Sequence, residues 1–357
     1  MSWQGIEGHD GVVQQFRLAL ERDRLASTFL FVGPPGIGKR AFALRLAKSL
    51  LCSRRPAAQL DPCGECPACQ QVRALTHPDL MLVAKPAEKS FLPVELFIGT
   101  RDHRMQAGLC HDIRLKPMMG GRRVAIIDDA DHLNEEGANC LLKTLEEPPP
   151  KSVMILIGTS AERQLPTIRS RSQIVRFRPL EPAVVARLLL ESGETDDQAA
   201  ARRVAEHCGG SVQKASELLD PQLWSFRDDL LRRLGDLPLD TARLAPMLLA
   251  FIEAAGKEAP ARRRRTRQVL DFVVEFYRAV VRQVLGLPPT SDAALEHAAG
   301  QAAAGFEHRA LAATACVQRT LDALGHIERN ANQTTLVEAW LDDLSQIIAH
   351  DRPVLSG

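Results

Sequence analysis

Gly33-Pro34-Pro35-Gly36-Ile37-Gly38-Lys39-Arg40 follows the apolar run Phe29-Leu30-Phe31-Val32 and leads into an amphipathic stretch. A strand, a glycine-rich turn and a helix in that order form a P-loop. Its glycines free backbone N–H groups to cradle phosphates at a helix N-terminus, and Lys39 is placed to reach the terminal phosphates. The phosphate-binding set read from this stretch is Gly33, Gly36, Gly38, Lys39 and Arg40. The last position breaks the pattern. A working hydrolase carries Ser or Thr there, whose hydroxyl holds Mg²⁺, and Arg40 has no hydroxyl. The stretch therefore predicts an NTPase scaffold that lacks one part of the reaction.

Working outward, short apolar runs alternate with amphipathic stretches, the pattern of a parallel sheet flanked by helices. Strands are expected at Phe29 to Val32, Leu80 to Ala84, Val124 to Asp128, Met154 to Gly158 and Ile174 to Phe177, with helices over 9–24, 39–51 and 132–146. Pro148-Pro149-Pro150 ends the last helix, because proline lacks a donor and restricts the residue before it. Pro179 and Pro182 mark a break, after which residues 182–219 read as a small helical unit interrupted by Gly209-Gly210. From about residue 222 the pattern is helical, with breaks near Pro238, Pro260, Pro288-Pro289 and Gly305.

Two later strands end in residues suited to phosphate chemistry. Val124 to Ile127 runs into Asp128-Asp129, the form of a Walker B element, with Asp128 placed to bind Mg²⁺ through water. The position after it calls for a water-polarising Glu; Asp129 is one methylene shorter, and a shortfall of about 1 Å can cost on the order of 10²-fold. The strand from Met154 ends at Thr159, a candidate γ-phosphate sensor. Beyond it lies Ser170-Arg171-Ser172. An arginine between a helix and the last strand either projects across a subunit boundary as an arginine finger or pairs with a carboxylate of its own chain, and spacing alone does not separate the two.

Cys63-Gly64-Glu65-Cys66-Pro67-Ala68-Cys69 supplies three thiolates with two-residue spacers, and Cys52 precedes them. Four thiolates suit a closed structural Zn²⁺ site with no open position for catalysis; an iron–sulfur cluster is the competing reading. Cys110, Cys140, Cys208 and Cys316 read as buried small hydrophobes, and His77 as a turn cap before Pro78.

Composition narrows the class. In 357 residues, 45 basic and 44 acidic side chains leave a net charge of +1, so no global field favours nucleic acid or a membrane. No apolar run approaches the roughly 18 residues of a membrane span, and no secretory signal is legible at Met1-Ser2-Trp3-Gln4; a cytoplasmic protein of two to three domains is expected. Aromatics at 4% do not support a base-stacking surface. Arg262 to Arg265 reads as a solvated helix turn rather than a nucleic-acid contact, and Trp224 and Trp340 as core or interface residues.

The assembled motifs resemble the delta-prime subunits of bacterial DNA polymerase III clamp loaders, which are AAA+ proteins. The resemblance rests on the cysteine module followed by Thr76-His77-Pro78-Asp79, on Asn139-Cys140-Leu141-Leu142-Lys143-Thr144-Leu145-Glu146-Glu147-Pro148-Pro149, and on Ser170-Arg171-Ser172, within roughly residues 25–180. It implies an α/β AAA+ domain over 1–180, a five-stranded parallel sheet with helices on both faces and a zinc module at 52–69. A helical lid over 181–220 and an all-α collar over 221–357 would follow. The implied partners are gamma/tau motor subunits and a delta subunit in a hetero-oligomeric ring of the polymerase III holoenzyme, a nucleotidyltransferase, with the sliding clamp and primed DNA reached through the assembly.

Position by position, the resemblance makes Arg171 the finger that acts in trans on a neighbour's ATP, with Ser172 in place of the usual Cys. It makes Cys52, Cys63, Cys66 and Cys69 the zinc ligands. Gln213, in Gly210-Ser211-Val212-Gln213, falls where motor subunits carry a sensor arginine. Arg40, Asp129 and Gln213 each remove a catalytic part, so ATP binding is expected to be weak or absent and hydrolysis by the chain itself absent. Residues 92–112 look longer than the family's usual link, with Val94 to Ile98 as an extra strand. The alternatives are an ATP-hydrolysing motor subunit and a zinc-bearing DNA-binding protein that uses Arg262 to Arg265 or Lys116 to Arg123.

Overall fold

The computed structural model describes residues 3, 5–86, 89–119, 121–306, 310–328 and 332–349. The chain divides into two compact units, Met1–Leu219 and Asp220–Gly357.

The first unit runs α1 (Asp10–Glu21), β1 (Thr28–Val32), α2 (Lys39–Leu51), α3 (Pro67–Arg73), β2 (Leu80–Val83), α4 (Glu95–Ile98), α5 (Leu109–Asp112), β3 (Arg123–Ile127), α6 (Glu135–Glu146), β4 (Ser152–Ile157), α7 (Pro166–Arg169) and β5 (Gln173–Arg176), then α8 (Pro182–Glu191), α9 (Gln198–His207) and α10 (Val212–Glu217). The strands form a five-stranded sheet in the order β2-β3-β4-β1-β5, and every neighbouring pair is parallel. β1, β3 and β4 are buried along their whole length, which is why they read as unbroken apolar runs.

Side chains of a strand alternate between the faces, and two separate cores result. Phe29 and Phe31 of β1 face Phe16 of α1 and Phe42 and Leu46 of α2, while Leu30 and Val32 face Phe97, Leu141 and Ile168 on the other side. The first face is aromatic. Phe31 lies 5.8 Å from Phe42 and 5.0 Å from Phe177, ring centre to ring centre.

Val94 to Ile98 does not form an additional strand, contrary to the sequence expectation. Residues 95–98 make one turn of helix, with Leu96 N–H donating to Pro93 O and Phe97 N–H to Val94 O. Val94, Phe97 and Ile98 are spaced i, i+3, i+4, which puts them on one helical face; Phe97 and Ile98 are both buried.

α6 begins at Asn134, whose side chain caps Gly137 N–H, and ends before the triple proline as expected. Between α9 and α10, Gly209 and Gly210 turn the chain with φ of 60° and 76°. A Cβ on Gly210 would lie 2.5 Å from Leu180 N, so only glycine fits there.

The second unit is helical: α11 (Pro221–Gly235), α12 (Thr241–Glu253), α13 (Ala259–Val284), α14 (Ala293–Ala303), α15 (Ala310–Glu328) and α16 (Gln333–Ala349). Pro238 and Pro288-Pro289 fall between helices, Pro260 in the first turn of α13, where its missing donor costs nothing, and Gly305 in a short 3-10 turn. Trp224 and Trp340 are buried. No helix among the described residues is long and apolar enough to cross a membrane.

Candidate functional site

The P-loop joins the C-terminal end of β1 to α2. Gly36 takes φ 73° and Gly38, the residue before α2, φ 96°. A Cβ on Gly36 would sit 2.2 Å from Ser211 Oγ and 2.9 Å from Gln213 Cβ. The start of α10 is thus packed on the loop, and Val212 N–H donates to Gly36 O at 3.0 Å. Gln213 is brought to the P-loop as expected, and it carries no charge there. His9 closes the other side, with Nε2 2.8 Å from Ile37 O. Burial lowers the His9 pKa, against the pull of the Ile37 carbonyl and Asp10. Gly33 N–H donates to Thr159 O at 3.0 Å, which brings the sensor position to the mouth of the loop.

The loop's charged groups are satisfied from within the chain. Lys39 is 7% exposed, and its Nζ donates to Gly33 O at 2.6 Å and also to Pro34 O. Burial lowers its pKa, while Asp131 and Asp128 pull it back up. The Arg40 guanidinium lies 3.4 Å from Asp128 Oδ2. Asp128 also accepts Asp129 N–H at 3.0 Å. Burial and the adjacent Asp129 raise the Asp128 pKa, and Arg40 and Lys39 oppose them. A Walker B aspartate paired with arginine does not fit a Mg²⁺ site: the cation position is taken by a side chain, and the hydroxyl that would complete the metal shell is missing.

Asp129 adopts the left-handed conformation at φ 56°, and its Oδ2 faces Lys85 N–H at 3.4 Å, turned toward the end of β2. The Thr159 hydroxyl donates to Asp131 Oδ2, and Thr159 N–H reaches the same oxygen at 2.8 Å. Gln164 Nε2 donates to Asp131 Oδ1. A Cβ on Gly158 would fall 2.6 Å from Asp131 Oδ1, so glycine there makes room for this network. Asp131 organises the sensor strand, yet the sequence hid it in the acidic run after β3; Gly158 was the one local signal.

The opposite end of α2 carries the cysteines. Cys52 caps the helix, Cys66 is the N-cap of α3 and Cys69 lies one turn into it. The four Sγ atoms lie within 4.8 Å of one another, with Cys52–Cys63 at 3.8 Å, Cys52–Cys66 at 4.0 Å and Cys63–Cys69 at 4.0 Å. A tetrahedron of thiolates 2.3 Å from a metal has edges of about 3.8 Å, so the donor set fits a four-coordinate ion. Burial pushes the Cys66 thiol up, but hydrogen bonds from Ser53 and Cys69 N–H outweigh it and bring the thiol down to about 5. Burial and the neighbouring sulfurs push Cys69 up to about 12. Such an opposed pair is what a cation resolves, by letting all the thiols ionise. His77 stands apart from the cluster: its Nδ1 accepts Asp79 N–H at 3.0 Å, the turn-capping role expected of it.

Arg171 follows α7. Its Nη2 donates to Glu146 Oε1 at 2.6 Å and its Nη1 to Thr167 O at 3.0 Å. The pairing Phe29↔Gln173 puts this arginine level with the start of β1, about six residues and hence roughly 20 Å from the P-loop along the strand direction. Within the tetra-arginine run, Arg265 pairs with Asp220 at 2.9 Å and covers the Phe251 ring at 4.5 Å, while Arg262 donates to Gly256 O. The outermost two of the four arginines are engaged inside the second unit.

A family model described as "DNA polymerase III, delta subunit" matches residues 8–181. The delta-prime subunit of Pseudomonas aeruginosa DNA polymerase III is 38% identical over 199 residues, 55% of this chain and 57% of that one. That of Bacillus subtilis is 32% identical over 219 residues, 61% of each chain. The gamma/tau subunit of Mycobacterium tuberculosis is 34% identical over 231 residues, 64% of this chain and 38% of that one. The match covers less than two thirds of the length of each of these relatives. The P-loop scaffold, the parallel sheet and the four-cysteine cluster all lie within the matched region, over which the chain is similar to the delta, delta-prime and gamma/tau subunits of bacterial DNA polymerase III.

Proposed function

We propose that this chain acts as the delta-prime subunit of a DNA polymerase III clamp loader. In this reading it sits in a hetero-oligomeric ring with gamma/tau motor subunits and a delta subunit in the cytoplasm. It helps open the sliding clamp and place it on primed DNA without hydrolysing ATP itself. Residues 1–180 are the nucleotide-binding-like domain, 181–220 the lid and 221–357 the collar through which the ring assembles. The observation that carries the non-hydrolysing role is Arg40 against Asp128: where a hydrolase needs Mg²⁺, the chain has its own cation. Gly33, Gly36, Gly38, Lys39, Asp128, Asp129 and Thr159 remain as the relics of a phosphate site, with Asp129 and Gln213 too short or uncharged for their catalytic positions.

Arg171 is the finger in this proposal, acting on ATP held by the neighbouring motor subunit. Its placement at the end of the sheet away from the chain's own P-loop supports action in trans. Zn²⁺ held by Cys52, Cys63, Cys66 and Cys69 is a structural clip at the far end of α2, with no open coordination position and hence no catalytic role.

The gamma/tau relative and the retained Lys39 favour a second reading, a hydrolysing motor. Turnover by the isolated chain separates them. The delta-prime reading expects no Lys39-dependent ATP hydrolysis, and co-purification into an assembly whose intact mass includes other loader subunits. A steady-state rate abolished by Lys39→Ala selects the motor.

A further inference from the structure

The Arg171 guanidinium is engaged within its own chain. Nη2 donates to Glu146, and Nη1 to Thr167 O and to Ser170 Oγ at 3.2 Å. These contacts fold the side chain back over α7 and onto the last residue of α6. That position favours a cation twice, because a helix C-terminus carries partial negative charge and Glu146 adds a full one. The pair is about half open to water, with side chains 34% and 50% exposed. A pair so exposed biases its closed form by only a small factor. It can hold the arginine and still release it.

We propose that Glu146 is a cis latch for the arginine finger, a positioning residue that keeps Arg171 retracted until a neighbour's nucleotide replaces it. The proposal rests on the reading of Arg171 as a finger. The carboxylate of Glu146 and a terminal phosphate compete for the same guanidinium edge, since a planar fork serves either anion through the same N–H groups. The phosphate carries more charge but prevails only when the interface closes and brings it within hydrogen-bond reach. The finger is then presented in the closed assembly and withheld in the open one, which suppresses idle hydrolysis by the neighbour.

Phenylglyoxal modification of the full-length chain tests the latch without any partner. Labelling of Arg171 is read by peptide mass spectrometry against Arg169, an exposed arginine two residues away. Glu146→Gln, which keeps the side-chain shape, is expected to speed Arg171 labelling about two- to fivefold, and Glu147→Gln to leave it as in wild type. Equal labelling in wild type and Glu146→Gln overturns the latch. In the reconstituted loader without DNA, Glu146→Gln is expected to raise the single-turnover hydrolysis rate by the same factor with ATP affinity unchanged. Glu146→Asp should fall between, closer to wild type. If Arg171→Ala slows hydrolysis while Glu146→Gln leaves or lowers it, the latch fails and the finger stands. If Arg171→Ala changes nothing although labelling responds to Glu146→Gln, the finger reading fails and the latch has no function to serve.

Discussion

One helix joins the molecule's two cation-related sites, and its ends have gone different ways. At the N-terminus of α2, Lys39 bonds to the carbonyls of its own loop, Arg40 pairs with Asp128, and Val212 covers Gly36. The lysine ammonium and the Walker B aspartate are thus both engaged from within the chain. At the C-terminus, Cys52 joins three other sulfurs that contact one another and accept backbone N–H groups of the same segment. A site kept for an external ion gathers like donors that repel once ionised, whereas a site that has given up its ligand pairs opposite charges. The contrast is chemical rather than positional, and it can be broken from either side.

The largest effect is expected at the cysteine end. One Zn²⁺ per chain should be found, and Cys66→Ser combined with Cys69→Ser should abolish it. Loss of a closed metal clip is expected to destabilise the first unit, each kcal/mol lost lowering Tm by about 2–4 °C. Metal analysis together with thermal unfolding checks this. Iron in place of zinc, or metal retained in the double variant, removes the zinc half of the comparison.

At the P-loop end, Arg40→Thr removes the internal cation and restores a hydroxyl. We expect it to gain Mg²⁺-dependent ATP binding by about tenfold or more, since a single charge-assisted contact is worth about 1.5–3 kcal/mol. Turnover should remain absent, because Asp129 and Gln213 are unchanged. Titration with fluorescent ATP, with Mg²⁺ and with EDTA, reads the first point; steady-state hydrolysis reads the second. Binding by wild type that already depends on Mg²⁺ would erase the difference between the two ends.

The smallest effect concerns His9, which seals the loop at Ile37. Burial holds its pKa below 6.5, and the same is true of His77. A histidine protonated more readily when unfolded contributes nothing at pH above 6.5 and destabilises the fold as pH falls through that value, by up to about 1.4 kcal/mol per pH unit. Denaturant unfolding between pH 7.5 and 5.5 should show this loss, and His9→Gln should flatten the slope. An unchanged slope places the pH sensitivity elsewhere.

The parts legible in the sequence were those written in local pattern. β1, β3 and β4 are buried on both faces and so read as apolar runs. The P-loop and the Cys63–Cys69 module are compact in sequence, and each spacing fixes its geometry. Contacts between distant segments left no such trace. Thr159 to Asp131 spans 28 residues and Arg171 to Glu146 spans 25. Whether a threonine meets a phosphate or an aspartate depends on how β3 and β4 bring Asp131 beside Thr159, where Gly158 leaves room for the carboxylate and no spacing rule reports the approach. The docking of Val212 on Gly36 is longer still. Val94 to Ile98 misled for another reason: within five residues, an i, i+3, i+4 set and a short apolar run look alike, and length is what separates helix from strand.

The central claim, that this chain gives up its own hydrolysis and completes a neighbour's site, is tested most directly by single-turnover ATP hydrolysis in a loader reconstituted with Arg171→Ala. A finger acts on charge that grows in the transition state. Loss of the finger should therefore leave the assembly intact and ATP affinity unchanged. The rate should fall about 10³-fold or more at the one site this chain completes, seen as a slow phase that wild type lacks. Identical kinetics for both loaders, with assembly intact, would contradict it and leave Arg171 as no more than the partner of Glu146.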